Sequence, residues 1–234
     1  MPKKEIKLSV EEMENAGVNF GHKVSKLHPK MKPYVSGIKN NVHIFDLEKT
    51  SKALERALEF ISKSVSDEKS IVFVGTKIQL RGLVQGSAEE CGVPCVTERW
   101  LGGTFTNFET IQKRVSYFKD LEKKKETGEL EKYTKKERLD FDKEIAILKV
   151  KFEGVRNMAK LPDIVVIFGL DKDITCAREA KRKGIQIVAL CDTNVNPDMA
   201  EYPIPANDDA ILAVGYIIDK IKGVILEVKN NAKR

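Results

Sequence analysis

Three short groups of side chains have the types and spacing for chemistry. Gly75, Thr76 and Lys77 follow the apolar run of "IVFVGTK", and a glycine-containing turn between strand and helix can present backbone N–H groups to a phosphate. "CDTNVNPD" supplies Asp192, Thr193, Asn194 and Asp198, and "NDDA" supplies Asp208 and Asp209. Carboxylates grouped in this way could hold Mg²⁺ over that phosphate. Together these residues describe a phosphate-binding α/β enzyme. Against that stands the absence of G-x-G-x-x-G after the strand and of a P-loop anywhere. Without the further glycines a pyrophosphate cannot approach the helix start. The acids also suit turns and helix caps, since Asn207 followed by two acids is what a helix N-terminus favours. The expectation is a protein that is not an enzyme and takes no cofactor.

The second group is "HKVSKLHPKMKPYVSGIKNNVH", which holds all three histidines, His22, His28 and His43. Lysines surround them, which depresses an imidazole pKa, and no carboxylate is near in sequence to orient a general base. From Asn15 through Phe45 there is no Asp or Glu, but there are Lys23, Lys26, Lys30, Lys32 and Lys39. The chain carries 41 Lys plus Arg against 35 Asp plus Glu; without these five the count is 36 against 35, so nearly all of the net +6 is local. Charge focused within a Debye length attracts a polyanion better than the same charge dispersed. Phosphate contacts, with the three histidines joining by hydrogen bond or by stacking on a base, are the use that fits.

The third group is Arg99 and Trp100 in "ERWLGGTFTN". An Arg–Trp pair before a flexible turn could stack on an exposed nucleobase; equally, the indole could wedge the following element against the core. The cysteines Cys91, Cys95, Cys176 and Cys191 come close only in "CGVPC", which lacks the Cys-x-x-Cys or Cys/His pairing of a zinc site. They read as small buried hydrophobes in a reducing cytosol, and no metal is expected.

These groups are positioned by elements that the pattern makes legible. Ser9 and Glu12 form a capping box ahead of Val10, Met13 and Ala16, giving a short helix that ends near Gly17. Two β-rich segments flank Asn40-Asn41, a pair suited to a tight hairpin. Asp46 caps a helix with Leu47, Leu54, Leu58, Ile61 and Val65 on one stripe. Beyond Ser70, "IVFVG", "PCVTE", "DIVVIFG" and "IQIVALCD" alternate with amphipathic helices, and a long helix follows from about Asn207. That alternation predicts an α/β fold, a doubly wound parallel sheet of the flavodoxin or Rossmann type. Between about Asn107 and Met158 two heptad-spaced stripes, Phe108 to Phe118 and Phe141 to Val155, meet across a Gly-containing turn. They predict a protruding antiparallel coiled-coil hairpin, with Thr134 and Glu137 as a second capping box and a solvated, loosely packed tip where Glu122 breaks the stripe. The expected division is an α/β core domain of 1–106 and 159–234, including the basic segment, with an inserted hairpin of 107–158. No apolar run approaches the ~20 residues needed to span a bilayer, and the charged start "MPKKEIKLSVEE" is unlike a signal peptide. A cytoplasmic protein without membrane contact is expected.

"GVNFGHKVSKLHPKMKPYVSGIKNNVHIFDLEKT", "VGTKIQ", "RWLGGTFTNFETI", "DTNVNPD" and "YPIPANDDAI" resemble, in order and approximate spacing, the bacterial-type small-subunit ribosomal protein two family. The resemblance runs from Gly17 to Ile211. It implies a structural constituent of the small ribosomal subunit that supports translation, on the outer face between head and body. Its partners would be small-subunit ribosomal RNA and neighbouring ribosomal proteins, including the large mRNA-binding ribosomal protein one. It also implies that Lys23, Lys26, Lys30, Lys32 and Lys39, with His22 and His28, belong to the RNA-facing surface.

Overall fold

The computed structural model describes residues 8–232; the charged start, residues 1–7, lies outside the described residues. Helix α1 (Val10–Asn15) begins at Ser9, whose hydroxyl accepts from the Glu12 N–H at 3.3 Å. The reciprocal arm of the box is not made, because the Glu12 carboxylate reaches across to Lys220 at 3.4 Å. Strands β1 (Phe20–Lys23), β2 (Val35–Lys39) and β3 (Val42–Phe45) form an antiparallel sheet in the order β1-β3-β2. Asn40 and Asn41 turn the β2–β3 hairpin with φ of 50° and 61°, the left-handed pair that a two-residue turn of this hand requires. Asp46 then caps α2 (Leu47–Ser66) by accepting from the N–H groups of Glu48 and Lys49. The expected stripe buries Leu54, Leu58 and Ile61 completely.

From here strands and helices alternate: β4 (Ile71–Val74), α3 (Arg81–Cys91), β5 (Cys95–Val96), α4 (Phe108–Glu126), α5 (Lys135–Phe152), β6 (Ile164–Ile167), α6 (Ile174–Lys183), β7 (Gln186–Cys191), β8 (Tyr202–Pro205) and α7 (Ile211–Ala232). Strands β4 to β8 make one parallel sheet in the order β5-β4-β6-β7-β8. The order reverses between β4 and β6, as in a doubly wound sheet. Successive residues point to opposite faces. Ile71, Phe73, Val166 and Leu190 enter a core shared with α1, α2, α3 and α7, while Val72, Val74, Ile167 and Ala189 enter a second core containing α6 residues, Met31, Phe45, Trp100 and Phe105. Both faces are therefore covered, which is why these strands read as continuous apolar runs.

β8 and β1 were not anticipated from the sequence. "YPIP" alternates two prolines with apolar residues, and a strand so short of N–H donors is tolerated at the sheet edge it occupies. Helices α4 and α5 pack on each other through Val115, Phe118, Leu121, Ile145, Leu148 and Phe152. The return from this pair to the sheet is tight: a Cβ on Gly154 would lie 2.0 Å from the Cys95 carbonyl oxygen. The turn between the helices is solvated as expected, with residues 123–127 and 131–140 exposed, and only its expected loose packing needs correction. A 3-10 turn, Glu129–Lys132, buries Leu130 there, and Tyr133 meets Phe141 edge-on at 5.2 Å. Glu122 is accommodated by an ion pair with Arg156 at 2.8 Å. Among the described residues no helix is long and apolar enough to cross a membrane.

Candidate nucleic-acid interface

The acid-free segment consists of short strands and 3-10 turns, too small to hold themselves, so the rest of the chain must anchor it. Val18 accepts from the Asn207 N–H at 3.1 Å and Asn19 from the Phe45 N–H at 2.8 Å. The His22 N–H donates to Thr193 Oγ1 at 2.9 Å, and the His28 N–H to the Thr193 carbonyl at 2.8 Å. This contact requires a glycine at position 21, where a Cβ would fall 2.6 Å from Thr193 Cγ2. Met31 is wholly buried in the second core. Lys49 Nζ donates to the Pro33 carbonyl at 2.7 Å. Backbone and apolar groups thus fix the segment, and Lys23, Lys26, Lys32 and Lys39 all emerge exposed. None of these four pairs with a carboxylate within 4 Å among the described residues. Lys30 is exposed too, but it forms an ion pair with Asp198, so tertiary structure supplies one acid that the local sequence lacks.

The histidines divide into three environments. His28 is half-buried, and its Nδ1 accepts from the Lys30 N–H at 3.2 Å, capping the 3-10 turn Pro29–Tyr34. His43 is buried on β3 and has no edge for a phosphate, which removes it from the phosphate-contact reading. His22 lies against carboxylates that are distant in sequence: Nδ1 is 3.1 Å from Asp192 and Nε2 3.5 Å from Asp209. Its hydrogen bond to the Asp192 carboxylate raises its pKa, with burial opposing. That reverses the expectation drawn from its lysine neighbours, because a contacting carboxylate outweighs screened charges farther away.

Arg99 is exposed and lines a cleft of about 1080 Å³ between α5 and the ends of β4 and β6. Trp100 is not available to a base, and the stacking expectation is withdrawn for it. The ring is buried against Phe105, centroids 4.7 Å apart, and Nε1 donates to Glu179 at 3.1 Å. It wedges the entry to α4 against the core. Glu179 was not singled out by sequence reasoning, yet this buried carboxylate also accepts from the N–H groups of Gly103, Phe105 and Thr106 at 2.8, 3.0 and 3.2 Å. Burial alone would push its pKa up, but these donors hold it below the usual value. An acidic residue midway along a basic helix, "CAREAKRK", was the available signal.

A sequence model of the family described as ribosomal protein S2 matches residues 13–228. The chain is 42% identical over 220 residues to small ribosomal subunit protein uS2c of Guillardia theta, covering 94% of each chain. It is 42% identical over 223 residues to small ribosomal subunit protein uS2 of Endomicrobium trichonymphae, covering 95% of this chain and 91% of the relative. The uS2 of Francisella tularensis subsp. novicida is 40% identical over 220 residues, with 94% and 92% covered. The chain belongs to the ribosomal protein S2 family.

The ribosomal protein S2 family is one of structural ribosomal proteins and not of enzymes, and the strand ends show how an enzyme-like crevice is closed in this member. The Thr76 donors and the Lys77 ammonium, which could meet a phosphate after β4, are already engaged. The Thr76 N–H and hydroxyl donate to Asp173 at 3.1 and 2.8 Å. Lys77 Nζ donates to Asp208 and Asp209 at 2.6 and 2.7 Å. Internal carboxylates stand where a phosphate would. The turn-and-cap reading of the acids holds only in part. Asn207 Oδ1 does accept from the N–H groups of Asp209 and Ala210, but Asp208 is fully buried beneath Lys77. Burial and the neighbouring Asp192 push its pKa up to about 7, with Lys77 opposing. His22, Asp192, Asp208 and Asp209 place ligand atoms within 4.8 Å of one another and are the residues that could close around a divalent cation. As arranged, Lys77 supplies positive charge there and the His22 ring hydrogen-bonds Asp192.

Proposed function

We propose that this protein binds small-subunit ribosomal RNA through the segment from His22 to Lys39, with Lys23, Lys26, Lys30, Lys32 and Lys39 on phosphates, His22 and His28 beside them, and Arg99 as an outlying contact. The protein is a structural constituent of the small ribosomal subunit and supports translation; we place it in the cytoplasm, on the ribosome. The observation that carries the RNA reading is the exposed quartet of Lys23, Lys26, Lys32 and Lys39, unpaired with any described carboxylate, on a ribbon whose backbone is held by remote residues. Lysines on a pre-positioned backbone gain by releasing condensed counterions from phosphates. Neighbouring ribosomal proteins are the remaining partners, with the large mRNA-binding ribosomal protein one docking on this protein. The stretch 107–158 is read as an antiparallel coiled-coil insertion in a core of 1–106 and 159–234; the shared apolar seam of α4 and α5 supports that division.

The test is substitution of Lys23, Lys26, Lys32 and Lys39 by Gln, with RNA affinity measured across a salt series. If all four meet phosphates, the slope of log affinity against log salt shrinks by roughly 3, at about 0.7 to 0.9 per contact. Four charges removed from α4 and α5 should change it far less. Equal losses from both sets would mean that only total charge matters, and would remove the segment as the RNA-facing site.

A further inference from the structure

Helix α6 sorts its charges by side. Between Lys172 and Lys183 the chain places the cations Lys172, Arg178, Lys181, Arg182 and Lys183 and the acids Asp173 and Glu179. Both acids are buried and bonded inward, Asp173 to the Thr76 N–H and hydroxyl, Glu179 to Trp100 and the N–H groups of Gly103 and Phe105. All of the cations are exposed. Cys176, Ala177 and Ala180 fill the inward side, so Thr175, Arg178 and Arg182, spaced by three and four, make one outward row. Attraction to the helix C-terminus accounts for Lys181, Arg182 and Lys183 in the last turn. It does not account for Arg178 in mid-helix, nor for Lys172 beside the positive end, where a cation is disfavoured. Lys172, Arg178 and Arg182 pair with no carboxylate within 4 Å among the described residues. Helices α4 and α5, by contrast, interleave their cations with exposed acids such as Glu109, Asp120 and Asp142, as solvated helices do. The α6 row also joins two contacts already assigned. At its C-terminal end Lys181 Nζ donates to the Asp198 carbonyl, while Lys30 of the ribbon pairs with the Asp198 carboxylate. At its other end Lys172 and Thr175 line the same cleft as Arg99.

We propose that the outer face of α6 is a second phosphate-binding row, and that one RNA strand runs along it from Lys30 to Arg99 with its backbone on Arg182, Arg178 and Lys172. The proposal rests on the RNA reading of the ribbon and extends it beyond the acid-free segment; Arg99 becomes the far end of a single track. Arg178 and Arg182 are neighbours on the helix surface, about 5–6 Å apart at Cβ, and each planar guanidinium can hold a phosphate by two parallel hydrogen bonds. RNA is favoured over an acidic protein because α6 carries no exposed large apolar side chain, whereas protein interfaces take most of their energy from buried aromatic and apolar anchors. The test measures affinity of the full chain for small-subunit ribosomal RNA across a salt series after Lys172→Gln, Arg178→Gln and Arg182→Gln. The slope of log affinity against log salt should shrink by roughly 2 to 3, at about 0.7 to 0.9 per contact, while Gln at Lys119, Lys123 and Lys124 of α4 should leave it unchanged. In assembled small subunits, the photo-cross-linker p-benzoylphenylalanine at Thr175 should capture RNA, at nucleotides adjoining those captured from Lys32. An unchanged slope for the α6 set, an equal change for the α4 set, a Thr175 position that captures no RNA, or one that captures RNA remote from the Lys32 product overturns the proposal. Gln at the four ribbon lysines reads the underlying site separately. A slope lowered by the ribbon set but not by the α6 set defeats the row alone, whereas a ribbon set without effect defeats the RNA reading of the ribbon and the continuous track with it.

Discussion

Lys77 is the side chain on which the buried acids most depend. Asp208 has no exposure, its Oδ1 is bonded to Lys77, and its Oδ2 has no hydrogen-bond partner among the described residues. Removing one member of such a pair leaves an uncompensated charge in a poorly solvated place. Lys77→Met should therefore lower stability by about 3 kcal/mol, read as a fall in Tm, and adding Asp208→Asn should recover part of that loss. Glu179 is a depressed acid with the opposite pH signature. Its folded pKa lies below the unfolded value, so its contribution is complete above the unfolded pKa and disappears as pH falls through the folded one. Thermal unfolding followed from pH 7 down to pH 3 should show a steeper loss for the native chain than for Glu179→Gln, which should already be less stable at pH 7 by about 1 to 3 kcal/mol through its mismatched donors. Parallel pH profiles for the two proteins would disprove the assignment. Neither residue's surroundings could be read from its neighbours in sequence. The partners of Lys77 lie 131 and 132 residues away, and those of Glu179 lie 73 to 79 residues away.

At the scale of elements, α4 and α5 bury apolar residues mainly on each other, and only the foot of the pair, through Val96 and Leu101, meets the sheet. Replacing the stretch between Leu121 and Phe141 with a short turn should therefore leave cooperative unfolding of the remainder intact, followed by circular dichroism in denaturant. Docking of protein partners should suffer more than Tm. Loss of a single cooperative transition would show that the pair and the sheet form one folding unit. The apolar stripes of α4 and α5 were legible because helical spacing is a local pattern. Leu130 was not, since one apolar residue in "ETGELEKYTKKE" has no period and acquires its place only once two helices meet above it. The same distinction explains β2–β3 and β8. Asn40-Asn41 states its turn locally, whereas "YPIP" becomes a strand only because the edge of β7 is present for it to pair with.

For the whole molecule, the crevice where the strand order reverses is the place at which a doubly wound protein would bind a nucleotide, and here Thr76 and Lys77 are bonded to internal carboxylates. Calorimetric titration with ATP, NAD or a pentose phosphate should give no heat of specific binding. Micromolar affinity lost on Asp192→Ala would instead return the protein to the enzyme reading. The sequence by itself determined the α/β class, the covered parallel strands, the caps at Asp46 and Thr134, the paired helices and the concentration of charge between His22 and Lys39. Each of these follows from periodicity, capping or composition, whose causes act within a few residues. Tertiary structure alone decided the strand order β5-β4-β6-β7-β8, because short apolar runs are interchangeable until they pair. It also decided which charges meet: it set Asp192 against His22 and Asp198 against Lys30, buried Asp208 under Lys77 and turned Trp100 inward onto Glu179. Coulombic and hydrogen-bond partners are chosen by distance in space, and a chain folded around a parallel sheet brings together residues that its sequence keeps more than a hundred positions apart.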